Sequence, residues 1–376
     1  MILVAVISAA GGYFAGQSMV PAVGMATQTV TVTQTVAAQI PLRPAFIYMG
    51  PVGDTGWTWN FDQARIQLEK EFGLTIPYSE SVPYADGPRV ATEYISKGYN
   101  IIMFNDAMEI WNPDLSLVTN NPNVYFLHAA GYVHNMTNLV AFYGKMYEPR
   151  YLNGIVAGLM TKTGKIGYVA AHPIPEVITG LNAFTLGVRS VNPTATVHVA
   201  FTHSWYDPPT EKAVAQSLIA IGCDILTQHA DSAAVQLAAE DAGIYSLGYQ
   251  SDMSKFAPHA YLTGAIWNWY PILSAEFHKI QSGTFKNEWI YPGLESGVVS
   301  VGPYNAIVPQ SVKDKVATVQ QAILAGTFQV FAGPISDRDG VVRIPAGHIP
   351  TDDEIWTGML WVVPGVVGDI PPATGL

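Results

Sequence analysis

An apolar run that breaks into a glycine-rich loop and then into an amphipathic helix is clearest at residues 46–72, FIYMGPVGDTGWTWNFDQARIQLEKEF. The opening FIY predicts a buried strand, and the glycines and the proline that follow predict a loop. Apolar residues then recur close to helical spacing, at Ala64, Ile66, Leu68 and Phe72. Such a unit places its loop at the carboxyl end of a parallel strand, where open α/β sheets bind their ligands.

The loop of this first unit carries Asp54, Trp57, Trp59 and Asn60. Two indoles beside a carboxylate and an amide suit a flat polar ring better than a phosphate, because no lysine or arginine occurs in the loop before Arg65. The alternative is that both tryptophans are core residues, since aromatic side chains are usually buried for packing.

The alternation of strand and helix continues along the chain. Further strands are predicted at residues 100–106, 123–132, 165–171, 196–207, 223–232, 243–252 and 261–271. Helices are predicted at 88–98, 149–164, 175–191, 211–222 and 233–242. Strands separated by helices at this spacing predict parallel sheets in a doubly wound α/β fold.

The length of 376 residues predicts more than one domain, and we expect two α/β lobes. The crossing into the second lobe is placed near residue 164, and the strand at 261–271 is expected to return to the first. After about residue 300, Pro/Gly-rich turns indicate a cover over the lobes and not a third domain. The expected boundaries are 44–163 plus 262–300 for the first lobe, and 164–261 plus 301–376 for the second lobe and its cover.

Polar or aromatic residues follow nearly every predicted strand. Because the carboxyl ends of parallel strands meet at one edge of a sheet, these residues are expected to line a single crevice. They are Asn105, Asp106, His128, Ser204, Trp205, Tyr206, Asp207, His229, Asp231, Ser232, Gln250 and Asp252.

The first 42 residues contain no lysine, arginine, aspartate or glutamate. Residues 1–24 resemble a secretory signal or a membrane anchor, and residues 25–43 form a Thr/Gln-rich linker. TVTVTQTV within the linker is expected to be an extended spacer or an edge strand. We therefore expect an exported protein, extracellular or attached to the cell surface, that retains the apolar segment as an anchor or assembly helix.

The composition and the missing motifs argue against several classes of function. The formal net charge of −11 would repel a nucleic-acid backbone, so no nucleic-acid partner is expected. Cys223 is the only cysteine, which excludes a disulfide framework. The sequence has no HExxH motif, Walker loop or GxSxG elbow, so it predicts no enzyme, metal site or cofactor. His128 and His229 are expected to form hydrogen bonds and not to act as general bases.

Several blocks of the sequence, in order, resemble the basic membrane protein (BMP) family of ABC-transporter substrate-binding proteins. The resemblance runs from about Pro44 to the C-terminus. It implies a type I periplasmic-binding-protein fold, with two lobes joined by three crossovers that close on a purine nucleoside or base. The blocks include YMGPVGDTGWTWNFDQAR, HAAGYVHN, HSWYDPPTEK, TQHADSAAVQLAAE, GYQSDMSKFAP and GVVGDIP.

The resemblance implies roles for particular residues. Trp57 and Trp205 occupy the positions of the aromatic residues that stack on the base from the two lobes. His128 stands where nucleoside receptors carry an aspartate. Gln250 and Asp252 replace a pair of aspartates, one of which holds the ribose, and Trp267 replaces a lysine. These departures favour a free purine base over a nucleoside.

The sequence therefore predicts a receptor that delivers a purine base or nucleoside to an ABC permease, without a cofactor. The lipid-anchoring cysteine of the family is missing, so attachment to the membrane is expected through the N-terminal segment. The alternative is a homo-oligomer or filament at the cell surface, assembled from the same fold through its apolar N-terminus.

Overall fold

Two largely parallel sheets organise the protein, seen in a computed structural model that describes residues 39–131 and 133–372. The strands of this part of the chain are β1 (Pro44–Ile47), β2 (Tyr78–Ser79), β3 (Ile101–Phe104), β4 (Tyr125–Ala129), β5 (Leu139–Phe142), β6 (Lys165–Ala170), β7 (Thr196–Phe201), β8 (Ile225–His229), β9 (Tyr245–Gln250), β10 (Tyr261–Trp267), β11 (Trp289–Ile290), β12 (Val299–Val301), β13 (Ile335–Ser336), β14 (Val342–Ile344) and β15 (Val366–Val367). The α-helices are α1 (Trp57–Phe72), α2 (Gly87–Ser96), α3 (Met108–Trp111), α4 (Ser116–Thr119), α5 (Tyr147–Met160), α6 (Pro175–Val191), α7 (Pro208–Ala220), α8 (Ala234–Ala242), α9 (Tyr270–Gln281), α10 (Gln310–Leu324) and α11 (Asp352–Gly358).

The first lobe is built on a sheet with the strand order β11-β5-β4-β3-β1-β2, in which every pair is parallel. β1, β3, β4 and β5 are buried almost throughout, as expected of strands covered by helices on both faces. The register pairs Ile47 with Phe104 and Phe104 with His128, so these strands end together at one edge.

The second lobe is built on a sheet with the order β12-β10-β9-β8-β6-β7-β15, parallel except where β12 meets β10. The chain passes between the two sheets three times, after β5, after β10 and after β11. The predicted α/β fold with two doubly wound lobes and three crossovers is confirmed.

One strand lies in a different sheet from the one expected. β10 pairs in parallel with β9, with Ala265 opposite Tyr249, and therefore belongs to the second sheet. The return to the first lobe comes after Trp267, through α9, whose Phe277 packs against Phe72 of α1 at 5.6 Å between ring centroids. No local pattern indicates this, because a buried strand has the same hydrophobic pattern in either sheet.

The region after residue 300 is more regular than its Pro/Gly-rich turns indicated. It contains α10, a 15-residue helix with Val312 and Val316 buried one turn apart. The same region supplies α11, which begins with a capping box between Thr351 and Glu354. The spacing of four between the two valines was a helical signal that the neighbouring turns obscured.

α5 and α6 carry the chain from the first lobe into the second, and glycines let them pack closely. A Cβ on Gly154 would lie 2.1 Å from the carbonyl oxygen of Phe184, and one on Gly187 would lie 2.0 Å from that of Tyr151. Only glycine permits such an approach of two helix backbones. This packing fixes the start of α6, which reaches the cleft between the lobes.

The predicted signal or anchor at residues 1–24 and the TVTVTQTV segment lie outside the described residues. Among the helices of residues 39–131 and 133–372, none combines the length and the apolar character needed to cross a membrane.

Candidate functional site

A cavity with about 340 Å³ of empty space, part of it open to solvent, lies between the strand ends of the two lobes. Most of its lining residues follow the carboxyl end of a parallel strand, as the sequence predicted for a ligand crevice. The first lobe contributes Met49, Trp57, Asp106 and Ala130, and the second contributes Glu176, Trp205, His229, Asp231 and Gln250.

Trp57 is the first residue of α1, and it both packs in the core and lines the cavity. Its Nε1 donates a hydrogen bond to the carbonyl oxygen of Asn105 at 2.6 Å. Phe61, Trp267 and Trp269 pack edge-on against its ring, with centroids 5.1 to 5.9 Å away. The indole is therefore held rigidly in the first lobe, with 8% of the residue exposed.

Trp205 lies in the loop after β7, in the opposite lobe, and is half-buried. Its ring lies 4.9 Å from that of His172 and 6.2 Å from that of His229. Its carbonyl oxygen accepts a hydrogen bond from the backbone N–H of Asp231 at 2.9 Å. The loops after β7 and β8 are thereby joined, and they place an indole and a carboxyl group on the same side of the cavity.

Asp106 follows β3 on the first-lobe side. Its carboxylate accepts hydrogen bonds from Tyr84 Oη at 2.6 Å and from the backbone N–H of Ala107 at 2.8 Å. Burial nevertheless raises the pKa of Asp106 to about 6, because water no longer solvates the charge. Its protonation state therefore changes just below neutral pH.

Asp231 and Gln250 form a pair on the second-lobe side. Gln250 Nε2 donates to Asp231 Oδ1 at 2.7 Å, while Gln250 Oε1 is buried without a hydrogen-bond partner. Burial, and next the neighbouring carboxylate of Asp54, hold the pKa of Asp231 well above its usual range. Gln250 also has a left-handed backbone, with φ at 74°, a strained conformation of the kind that concentrates at functional sites.

Glu176 and His229 close the cavity at the start of α6. Tyr143 Oη donates a hydrogen bond to Glu176 Oε1, and His229 Nε2 lies 3.3 Å from the same oxygen. Burial lowers the pKa of His229 despite the hydrogen bond to Glu176, so the imidazole is neutral at physiological pH. Glu176 was not anticipated, because an acid in the first turn of a helix normally indicates only a favourable interaction with the helix dipole.

The two lobes meet beside the cavity. Asn60 Nδ2 donates to the carbonyl oxygen of Gln250 in the second lobe at 2.9 Å and to that of Gly56 in its own helix at 2.7 Å. Ser251 Oγ donates to the carbonyl oxygen of Thr55. These contacts hold the two lobes together in a closed arrangement. Asn60 thus joins the lobes, but it does not line the cavity.

Asp54 has a structural role at the start of α1. Its carboxylate accepts hydrogen bonds from the backbone N–H groups of Gly56, Thr58 and Trp59, at 2.8 to 2.9 Å. These groups have no partner within the helix, so the side chain acts as a cap. The expectation that Asp54 contacts ligand directly is therefore not supported by its position.

His128, Asp252 and Trp267 also lie away from the cavity lining. His128 is fully buried; its Nδ1 accepts from the backbone N–H of Met108 at 2.9 Å, and burial lowers its pKa to about 4. Asp252 is exposed and accepts from the backbone N–H of Ser254. Trp267 is stacked on Trp269 at 4.3 Å in the core. Strand-end position alone does not tell whether a side chain faces the cleft.

The predicted residues that the structure does bring together are Trp57, Asp106, Trp205, Asp231 and Gln250. The sequence analysis also singled out His229 at a strand end, and it did not anticipate Met49, Ala130 or Glu176. Across residues 39–131 and 133–372, no group of three or more His, Cys, Asp and Glu side chains is arranged to hold a metal ion.

Two α/β lobes with a cleft at their strand ends have the arrangement of the type I periplasmic-binding-protein fold. Residues 42–330 match the sequence model of the Bmp family, described as ABC transporter substrate-binding protein PnrA-like. The chain belongs to this family, as its sequence blocks indicated. Membership implies a solute ligand and a membrane permease as partner, and the family and fold are those of binding proteins and not of enzymes.

Two relatives have similar overall identity but names that specify different ligands. A purine-binding protein of Brucella abortus is 36% identical over 336 residues, covering 89% of this chain and 95% of its own. A putative ABC transporter glucose-binding protein of Haloferax volcanii is 35% identical over 331 residues, covering 88% of this chain and 81% of its own.

Solved structures support the fold. A solute-binding protein of an ABC transporter system from Aeropyrum pernix superposes with a TM-score of 0.68 at 15% identity, covering 85% of this chain and 99% of its own. One from Conexibacter woesei superposes with a TM-score of 0.65 at 19% identity, covering 77% of this chain and 98% of its own.

Proposed function

We propose that this protein captures a purine base between its lobes and delivers it to an ABC permease. The observation that carries the proposal is that Trp57 and Trp205, from opposite lobes, line the same cavity. Stacking of a base on an aromatic side chain is worth about 1 to 3 kcal/mol per base. Carboxyl and amide groups around the two indoles would bind the polar edge of the base.

A free base fits the cavity better than a nucleoside. His128, Asp252 and Trp267 occupy positions that the family resemblance associates with the nucleoside site, and none of them lines the cavity. Trp267 occupies a position at which a nucleoside receptor would need a polar group to hold the ribose. Its indole is instead stacked on Trp269. The site requires no cofactor, because binding depends on stacking and hydrogen bonds alone.

The proposed place of action is outside the cytoplasm, at the cell surface. Residues 1–24 would direct export and then hold the protein at the membrane, since an apolar run of this kind is typical of a signal or an anchor. Closure of two lobes on a ligand is a hinge motion, and the permease would recognise the closed state. Peptide mapping of the native protein tests retention of the segment: a mature N-terminus beyond about residue 25 would contradict it.

Glucose is the second candidate ligand, and the Haloferax volcanii relative is the observation that favours it. Carboxylate and amide oxygens accept hydrogen bonds from sugar hydroxyls as readily as from the N–H groups of a base.

Calorimetric titration with adenine, guanine, adenosine, guanosine and glucose tests the proposal. We expect the bases to bind more tightly than their nucleosides, and glucose not to bind. A nucleoside that binds more than tenfold more tightly than its base, about 1.4 kcal/mol, would contradict the preference for a base. Binding of glucose without any purine would contradict the proposal as a whole.

A further inference from the structure

Gln250 Oε1 and His229 Nδ1 are buried atoms of the cavity lining that have no hydrogen-bond partner among the residues that the structure describes. Gln250 uses its nitrogen to bind Asp231, which leaves the oxygen for a ligand. The indole of Trp57 has no N–H to offer a ligand, because its Nε1 already donates to Asn105. Buried polar groups require partners, so a ligand that fills this cavity must supply hydrogen-bond donors.

Carboxyl groups dominate the charge around the cavity. Asp106, Glu176 and Asp231 line it, and none of its nine lining residues is a lysine or an arginine. His229 is the nearest candidate for a positive charge, but its hydrogen bond to Glu176 does not prevent burial from keeping it neutral. A negatively charged ligand would therefore meet acidic side chains, with no compensating cation among these nine residues.

Arg150 is a buried cation on the second-lobe side that does not line the cavity. It is fully buried, and its guanidinium carbon lies 3.8 Å from the centre of the Tyr249 ring, on which it stacks. Among the residues that the structure describes, no carboxylate lies within ion-pair distance of it, and its three guanidinium nitrogens have no hydrogen-bond partner. Its charge also lowers the pKa of His229, after the effect of burial.

The carboxylate of Glu176 is held in a fixed position. Tyr143 and His229 both contact its Oε1, whereas no group among the described residues donates a hydrogen bond to its Oε2. Asp106 is held in the opposite lobe through both of its oxygens, by Tyr84 and by the Ala107 backbone. Fixed acceptors discriminate strongly between a ligand that donates to them and one that leaves them unpaired.

We propose that the cavity selects purines that carry exocyclic amino groups and rejects purines that carry carbonyl groups in their place, with Glu176 as a specificity-determining residue. This inference rests on the proposed purine-binding function. An amino group donates charge-assisted hydrogen bonds to carboxylates, which are about twice as strong as neutral ones. A carbonyl oxygen at the same position would face the carboxylate oxygens and be repelled.

Calorimetry tests this inference by comparing the affinities of the full chain for four purine bases. 2,6-Diaminopurine and adenine are expected to bind at least tenfold more tightly than hypoxanthine and xanthine. Hypoxanthine or xanthine binding within threefold of adenine would overturn the inference while leaving purine binding intact. If no purine binds and glucose does, the proposed function fails together with the inference.

Variants test the assigned residue. Glu176→Gln keeps the size of the side chain but adds an amide donor, so it should reduce the ratio of adenine to hypoxanthine affinity at least threefold. If Glu176→Gln fails to fold, Asp106→Asn is the second variant, and it should also reduce the ratio of adenine to hypoxanthine affinity. Asp314→Asn, on the exposed face of α10, removes one negative charge away from the cavity and should leave the ratio unchanged. An unchanged ratio in a folded Glu176→Gln protein would overturn the role of Glu176.

Discussion

Gly56 of the first lobe lies directly against Asp231 of the second, so that a Cβ on Gly56 would stand 2.4 Å from the carbonyl oxygen of Asp231. Real Cβ atoms are never found so close to a backbone atom, and the neighbour here belongs to the other lobe. The closed arrangement of the lobes therefore depends on the absence of a side chain at this position.

Gly56→Ala should impair closure. The added methyl group would force the lobes apart and favour the open state, which binds the ligand more weakly. We expect the affinity for adenine to fall at least tenfold, or about 1.4 kcal/mol. Gly53→Ala in the same loop is the matched control, because no atom lies within 4 Å of a Cβ at that position. Equal affinities for the two variants would show that the contact does not limit closure.

Asp106 makes stability depend on pH. Burial raises its pKa from 3.8 to about 6, so in this window the folded state keeps a proton that the unfolded state has lost. The folded state binds more protons, and the contribution of Asp106 to stability therefore falls as pH rises from about 4 to about 6. Relative to Asp106→Asn, the wild type should lose about 1 to 3 kcal/mol across this range. Denaturant unfolding at several pH values measures the difference, and parallel pH profiles would contradict it.

His128 should matter for stability and not for ligand choice. Its ring accepts from the buried backbone N–H of Met108 and lies 2.9 Å from the carbonyl oxygen of the partly buried Val133. His128→Ala would leave these groups without partners, at a cost of about 1 to 3 kcal/mol for each. The melting temperature should fall, while the affinity of the folded fraction for adenine stays within twofold. A tenfold loss of affinity in folded protein would restore His128 to the binding site.

The sequence predicted the architecture because strands and helices alternate with clear periods and because the crevice forms where parallel strands end. Trp57, Asp106 and Trp205 could be found in this way. The sequence does not tell whether His128 faces the cleft, because successive side chains of a strand face opposite sides of the sheet. Nor does it show that Asp54 lies outside the cavity lining, because a carboxylate in a glycine-rich loop caps a helix as readily as it binds a ligand.

Other features depend on contacts that no local pattern encodes. Glu176 reaches the cavity only because α6 packs closely on α5. β10 joins the second sheet because of its pairing with β9, which the composition of the strand does not reveal. Trp57 is both a core residue and a cavity residue, since its ring packs against four aromatic residues and also reaches the cavity.

In the proposed mode of binding, Trp57 and Trp205 clamp the ligand from opposite lobes. Trp57→Ala and Trp205→Ala should each weaken adenine binding by about 1 to 3 kcal/mol. The two losses should not add in the double variant, because removing either ring also favours the open state. Trp57→Ala should in addition lower the melting temperature more than Trp205→Ala, since Trp57 is the more deeply buried.

Calorimetry of adenine binding to the wild type, the two single variants and the double variant tests the clamp, with Trp361→Ala in the C-terminal cover as the control. We expect a loss of affinity in each clamp variant, a double-variant loss that differs from the sum, and wild-type affinity in the control. Unchanged adenine affinity in folded Trp57→Ala and Trp205→Ala would contradict the clamp and with it the proposed mode of capture.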